Sequence, residues 1–234
     1  MNLETKLGIY HMSESSEELI RNTPLLLIAS VVGGGKDTVV KELVKSGGFH
    51  RIVSHTTRSP RTNHGVTEQN GHDYHFISVN EAEQMLDDQL FIEAKYVHGN
   101  VYGTSVAEVA VANSEHKTAV TDIDVQGVVE YLEVKPDTHA VFLLPPSVDT
   151  WLQRLATRYG NLDDHQEELK KRFTTAYNEI MHIQNDPRFV LVINDDLDTT
   201  AERVKGVLDR SVDHTSEYAE AVTEHLLDFL STKI

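Results

Sequence analysis

The stretch that most constrains this chain is Ser30-Val31-Val32-Gly33-Gly34-Gly35-Lys36-Asp37-Thr38. It follows an apolar run at 25–29 and precedes Val39, Val40, Leu43 and Val44, which share one face of a helix. A buried strand, a glycine turn, a lysine and a helix come in the order of a phosphate-binding loop. Glycines let backbone N–H groups curl around phosphate oxygens with no Cβ in the way. The following helix offers its positive end to the same anion, and Lys36 adds a mobile charge for the terminal phosphates. The usual spelling is G-x-x-x-x-G-K-[ST]. Here Ser30 stands in the first glycine's place and Asp37 stands where a magnesium-binding hydroxyl belongs. On this stretch alone, a glycine-rich turn without a ligand is the competing reading.

Composition narrows the classes. The 234 residues suit one ordinary domain, or a core with small inserted lobes. A formal net charge of −16 speaks against nucleic acid or an anionic membrane surface as the main partner. A small anionic substrate stays open where positive charge is concentrated locally. There is no cysteine, hence no disulfide framework. No apolar run reaches membrane-spanning length and no signal-peptide core is present, so the chain is read as cytoplasmic. Histidine is abundant, at 13 residues, but shows no metal-ligand spacing.

Residues 1–22 read as an N-terminal extension packed loosely on the surface. An extended stretch at 52–57 runs into Arg58-Ser59-Pro60-Arg61, where the proline keeps two arginines out of a helix. Such a pair can grip one phosphate with planar donors; two solvated loop arginines are the alternative. Strands are expected at 73–77 and 91–98. Ser78 with Glu81 spells a capping box between them. These pieces make a small lobe at about 51–104, inserted into the core. The core resumes with a helix near 105–113 and a strand at 118–124 that ends in carboxylates. A strand at 140–144 follows, and Ser147 caps a helix burying Trp151, Leu152 and Leu155. Arg154, Arg158 and Arg172 bracket a polar segment with the composition of a mobile lid, at about 154–172. The last core strand is expected at 189–193. A C-terminal helical extension, 211–234, places Val222, Leu226, Phe229 and Leu230 on one face. Alternating strands and helices favour an α/β fold with a parallel sheet.

The residues then resemble guanylate kinase, over roughly 24–205. The resemblance is carried by Ser54-His55-Thr56-Thr57-Arg58-Ser59-Pro60-Arg61, Glu68-Gln69-Asn70-Gly71-His72-Asp73-Tyr74-His75-Phe76 and Phe91-Ile92-Glu93. His98-Gly99-Asn100-Val101-Tyr102-Gly103-Thr104, Asp122-Ile123-Asp124-Val125-Gln126-Gly127, Pro145-Pro146-Ser147 and Asn194-Asp195-Asp196 follow in family order. It implies a P-loop NTPase-type three-layer core over 23–210 with an inserted GMP-binding lobe and a helical lid. It implies transfer of a phosphoryl group from ATP to GMP, with magnesium as cofactor.

Residue by residue, the resemblance implies that Arg58, Arg61, Tyr74 and Tyr102 clamp the GMP phosphate. Glu93 would read guanine N1–H and the 2-amino group, and Thr104 would serve guanine O6. Glu68 and Asp122 would complete that pocket. Lys36, Arg154, Arg158 and Arg172 would surround the transferring phosphoryl group. Ser30, Gly33, Gly34, Gly35, Lys36, Asp37 and Thr38 would cradle ATP, with Asn194 beside adenine. Magnesium would fall to Asp37 and Thr38. His55, His75 and His98 read as structural or polar pocket residues. The chain departs from the family at Ser30, Val32 and Asp37, and in longer loops before Glu68 and between Arg158 and Arg172. Two other classes compete: a binding module that keeps the fold without catalysis, and a small-molecule kinase such as ribose bisphosphokinase.

Overall fold

The computed structural model describes residues 3–63, 66–97, 99–138 and 140–234; His98 lies outside the described residues. In chain order the elements are α1 (Leu3–Gly8), α2 (Glu14–Asn22), β1 (Leu25–Ser30), α3 (Lys36–Lys45), β2 (Phe49–Arg51) and β3 (His55–Thr56). Then come β4 (Thr62–Asn63), β5 (Val66–Thr67), β6 (His75–Phe76), α4 (Val79–Asp87), β7 (Phe91–Val97), β8 (Asn100–Ser105) and α5 (Val106–Ser114). They are followed by β9 (Thr118–Asp122), α6 (Val125–Val134), β10 (Ala140–Leu144) and α7 (Val148–Tyr159). The chain ends with α8 (Gln166–Ile183), β11 (Phe189–Ile193), α9 (Leu197–Leu208) and α10 (Glu217–Ser231). Among the described residues, no helix is long and apolar enough to cross a membrane. The chain divides into two compact units, one from the described residues of 1–25 and 48–121, the other from 26–47 and 122–234.

The second unit is built on parallel strands in the order β11-β10-β1. Ala140 pairs with Leu27 on one side and Phe189 on the other. Both β10 and β11 are buried along their whole length, as expected of parallel strands covered on both faces. Ser147 caps α7 by accepting from the Thr150 N–H, and Asp196 caps α9 in the same way through Thr199. Trp151 and Leu155 are buried, as the periodicity requires, while Leu152 is only half-buried. The C-terminal helix is no loose appendage. Val222, Leu226 and Leu230 of α10 are buried, and Phe229 meets the rings of Trp151 and Phe173 at 6.5 and 5.7 Å.

The first unit holds a parallel pair, β9-β2, and a mixed sheet in the order β6-β3-β8-β7. The expected extended run at 52–57 is broken. The Val53 N–H is taken by the Glu108 carboxylate at 2.9 Å, not by a neighbouring strand. The other Glu108 oxygen meets His75 Nε2 at 2.9 Å, so this one carboxylate ties α5 both to the break and to β6. The strand expected at 73–77 shrinks to β6. Its first residues form a turn in which the His72 and Asp73 N–H groups donate to the Gln69 carbonyl. The strand expected at 118–124 stops at Asp122, because Asp124 turns to cap α6 through the Gly127 N–H. Residues 3–22 also depart from expectation. Ile20 is fully buried in α2, and Thr23, at its end, accepts from Asn113 Nδ2. The short helix gives too few apolar positions for the sequence pattern to announce this packing.

The His55 ring stacks on His75 at 4.5 Å. Burial, then the His75 ring, holds the His55 imidazole down at about 4 from an ordinary 6.5, with Glu108 opposing. The unfolded chain takes up this proton near its ordinary value, the folded chain only near the lowered one. Stability is therefore intact above the upper value and falls as the pH drops through the window. With the ring partly exposed, the expected loss is about 1–2 kcal/mol. Urea unfolding at about pH 7.5 and about pH 4.5 should show a smaller loss in His55→Gln than in the wild type; equal losses would contradict the assignment.

Candidate active site

The glycine turn is shaped by its supports. Gly33 and Gly35 sit at φ +77° and +92°, a region side chains rarely adopt. Trp151 Nε1 donates to the Val32 carbonyl at 2.7 Å, and Asn194 Nδ2 donates to the Gly34 carbonyl at 2.7 Å. A Cβ on Gly35 would run into that same Asn194 amide. Asn194 is 7% exposed, and its own carbonyl accepts from Arg154 Nη2 at 2.8 Å. The carbonyls of Val32 and Gly34 are thus held from below, and α3 starts directly after Gly35. Gly34 lies beneath the loop surface; a Cβ there would come within 2.8 Å of Ser30 Cβ and 2.9 Å of the Val31 carbonyl.

Above the loop is a cleft of about 680 Å³, lined by Ser30, Gly33, Gly35, Lys36, Asp37 and Thr38 of the loop and α3. Arg154, Arg158, Arg172 and Asn194 line the same cleft, so the arginines far apart in sequence converge on one space. On α7, Trp151 and Leu155 grip the loop while Arg154 and Arg158, one turn apart, reach the cleft. Among the described residues, buried Arg154 Nη1 has no hydrogen-bond partner. Arg172 is held by Glu168 one turn back on α8, at 2.8 Å. Lys36 Nζ lies 3.7 Å from Asp122 Oδ2.

Sequence reasoning missed Glu179. It lines the cleft with Thr175 and Arg172, and the spacing 172, 175, 179 puts all three on one face of α8. That spacing was the available signal. Burial pushes the Glu179 carboxyl up to about 7 from an ordinary 4.5; Asp124 adds to the rise and Lys36 opposes it. The folded chain keeps this proton over a window in which the unfolded chain loses it. The stability this gives is complete below the lower value and lost as the pH rises through the upper one. Glu179→Gln should therefore gain about 2 kcal/mol on the wild type at about pH 8 relative to about pH 5. Urea unfolding checks this, and a difference that is the same at both pH values would contradict it.

In the other unit, Arg58 makes a two-pronged pair with Glu68, Nη1 to Oε2 at 2.8 Å and Nη2 to Oε1 at 3.0 Å. The Arg61 backbone N–H donates to the same carboxylate at 2.7 Å, while its side chain is exposed. Burial alone would raise the Glu68 carboxyl, but the Arg58 fork and the Arg61 N–H together bring it below the ordinary range. The Arg58 guanidinium sits 5.2 Å from the Tyr74 ring centre, and Tyr74 meets Tyr102 edge-on at 6.0 Å. Arg58, Glu68, Tyr74 and Tyr102 thus form one cluster. Glu93 and Thr104 form another, as direct partners across β7 and β8. A β-bulge between Phe91 and Glu93 sets that register. Gly103 allows the strands to close here, since a Cβ would stand 2.7 Å from the Glu93 carbonyl. The Thr104 hydroxyl is buried and, among the described residues, has no partner. Asp122 stands with Lys36, in the unit of the phosphate loop.

The guanylate kinase family profile matches residues 21–211. The chain is 32% identical over 201 residues to the guanylate kinase of Clostridioides difficile, covering 86% of this chain and 94% of that one. With the guanylate kinase of Schizosaccharomyces pombe the identity is 33% over 178 residues, covering 75% and 85%. With that of Neisseria meningitidis it is 34% over 189 residues, covering 80% and 88%. A crystal structure of guanylate kinase from Anaplasma phagocytophilum superposes with a TM-score of 0.59 over 89% of this chain and 95% of that one. At 23% identity, that likeness speaks to the fold, an α/β fold of the P-loop NTPase type. The reach of the family profile and three relatives above 30% identity lead to one conclusion: this chain belongs to the guanylate kinase family.

Proposed function

We propose that the protein is a guanylate kinase, converting ATP and GMP (or dGMP) to ADP and GDP. The observation that carries this reading is the Glu93–Thr104 pair, with its buried, unpartnered hydroxyl, on the strand pair of the first unit. A carboxylate beside a hydroxyl matches one edge of guanine. Glu93 accepts from N1–H and the 2-amino group, and Thr104 donates to O6. Adenine has no N1–H, so Glu93 would face AMP poorly paired, at about 2–4 kcal/mol or roughly 30- to 1000-fold. Arg58, Arg61, Tyr74 and Tyr102 hold the acceptor phosphate, with Glu68 keeping the Arg58 fork in one orientation. Asp122 serves as the ion-pair partner of Lys36.

On the donor side, loop N–H groups and Lys36 take the β- and γ-phosphates. Asn194 holds the loop open while lying beside adenine. A GMP phosphate oxygen is already an anion at neutral pH, so the transfer needs no protein nucleophile. That oxygen bonds to the γ-phosphorus as the bond to the β–γ bridging oxygen breaks, and the electron pair leaves with ADP. Arg154, Arg158 and Arg172 spread and neutralise the charge during this exchange. Arg172 exchanges Glu168 for the phosphoryl group, and closure of the 154–172 segment keeps water from the donor.

The donor set fits magnesium. Asp37 and Thr38 present a carboxylate and a hydroxyl, both exposed on the first turn of α3 in the same cleft. These two residues would hold the ion, which when bound neutralises phosphate charge. Thr38 also takes over the phosphate contact that a serine at 37 would make. Thr38→Val should therefore lower kcat sharply, whereas Asp37→Ser should stay within about tenfold, or about 1.4 kcal/mol. Steady-state kinetics over a magnesium titration separate the two. The reading as a whole is tested by coupled assay of ADP formation. GMP-dependent turnover is expected in the wild type. No turnover in the wild type, with recovery in Asp37→Ser, would make the protein a binding module instead.

A further inference from the structure

The family match begins at residue 21, yet residues before it hold the strand that carries Glu93. Lys6 Nζ reaches both oxygens of Asp87 at 2.7 and 2.8 Å, where α4 ends. Gln89, in the left-handed region at φ +53°, donates its Nε2 to the His11 carbonyl at 3.2 Å. Tyr10 then takes both backbone groups of Phe91: its hydroxyl accepts from the Phe91 N–H at 3.1 Å and donates to the Phe91 carbonyl at 2.6 Å. Positions 87, 89 and 91 are thus gripped in turn, along the stretch that launches β7.

Among the described strands, β7 is the edge of its sheet, with only β8 as a neighbour. The phenol therefore supplies what a further strand would supply to Phe91. This happens at the bulge, where the ladder is weakest and the direction of the next side chain is decided. A slip of one residue would turn Glu93 to the opposite face of the sheet and part it from Thr104.

We propose that Tyr10 is a positioning residue for recognition of the acceptor base: by bridging the Phe91 N–H and carbonyl it fixes the bulge, and so holds the Glu93 carboxylate opposite Thr104. This rests on the reading of Glu93 as the guanine acceptor. It makes the N-terminal segment, which lies outside the family match, part of the specificity apparatus.

The test is a double-mutant cycle with Tyr10→Phe and Glu93→Gln, in the full chain, with KM for GMP, KM for ATP, kcat and melting temperature measured for each protein. Tyr10→Phe keeps the ring and removes the bridge. It should raise KM for GMP about 5- to 10-fold, as for loss of a hydrogen bond that positions another group, and lower the preference for GMP over AMP in step. KM for ATP should stay within about twofold, and in the Glu93→Gln background Tyr10→Phe should add nothing for GMP. If Glu93→Gln abolishes the preference while Tyr10→Phe leaves KM for GMP unchanged, the role of Tyr10 is overturned and the guanine reading stands. If Tyr10→Phe raises both KM values together as the melting temperature falls, Tyr10 serves folding only and the inference fails. If Glu93→Gln keeps the preference, the reading of Glu93 falls, and the inference with it.

Discussion

The hydrogen bond from the Asn194 amide to the Gly34 carbonyl is the interaction on which the donor site depends. A glycine loop has little to hold it in one shape, and glycine loses more conformational freedom on ordering than any other residue. Here that freedom is removed from below. Asn194, just after β11, and Trp151, on α7, take the carbonyls of Gly34 and Val32, and the Gly34 N–H closes the turn on the Val31 carbonyl. The same α7 carries Arg154 and Arg158, so the element that shapes the loop also places the charges that act above it. Loop and arginines are set by one piece of packing, centred on the Trp151–Phe173–Phe229 rings.

This arrangement also accounts for the loop's departures from its usual spelling. Ser30 can replace the first glycine because its Cβ lies under Gly34, where the chain already makes room by having no side chain at 34. Asp37 and Thr38 are exposed on the first turn of α3, so a carboxylate there is not forced into a dry site. The key arginine of each unit keeps one buried nitrogen without a partner among the described residues, Nε of Arg58 and Nη1 of Arg154, while Glu68 holds both Nη atoms of the Arg58 fork.

Much of this was legible in the sequence because it is periodic or local. The buried strands announced themselves as short apolar runs, and Ser78-x-x-Glu81 spelled its capping box outright. The convergence of Arg154, Arg158 and Arg172 followed from the family resemblance, since no local pattern links α7 to α8. What stayed hidden depends on tertiary partners. The break at Val53 is made by Glu108, 55 positions away. The role of Asn194 as a brace needs β11 beside the loop. Glu179 shows no motif, only a helical spacing to Arg172. The docking of residues 3–22 combines the lone buried apolar residue Ile20 with polar contacts such as Tyr10 to Phe91, which leave no periodic trace.

In the proposed function, the Glu93–Thr104 pair selects the acceptor of a phosphoryl group held at the braced loop. The most direct measurement is the initial rate of ADP formation with GMP, IMP and AMP at equal concentrations. IMP keeps N1–H and O6 but lacks the 2-amino group, so it removes one of the two donors that Glu93 accepts. The expected order is GMP, then IMP, then AMP, with each lost donor lowering kcat/KM by about tenfold. Equal rates for GMP and AMP, or no acceptor-dependent ADP at all, would contradict it.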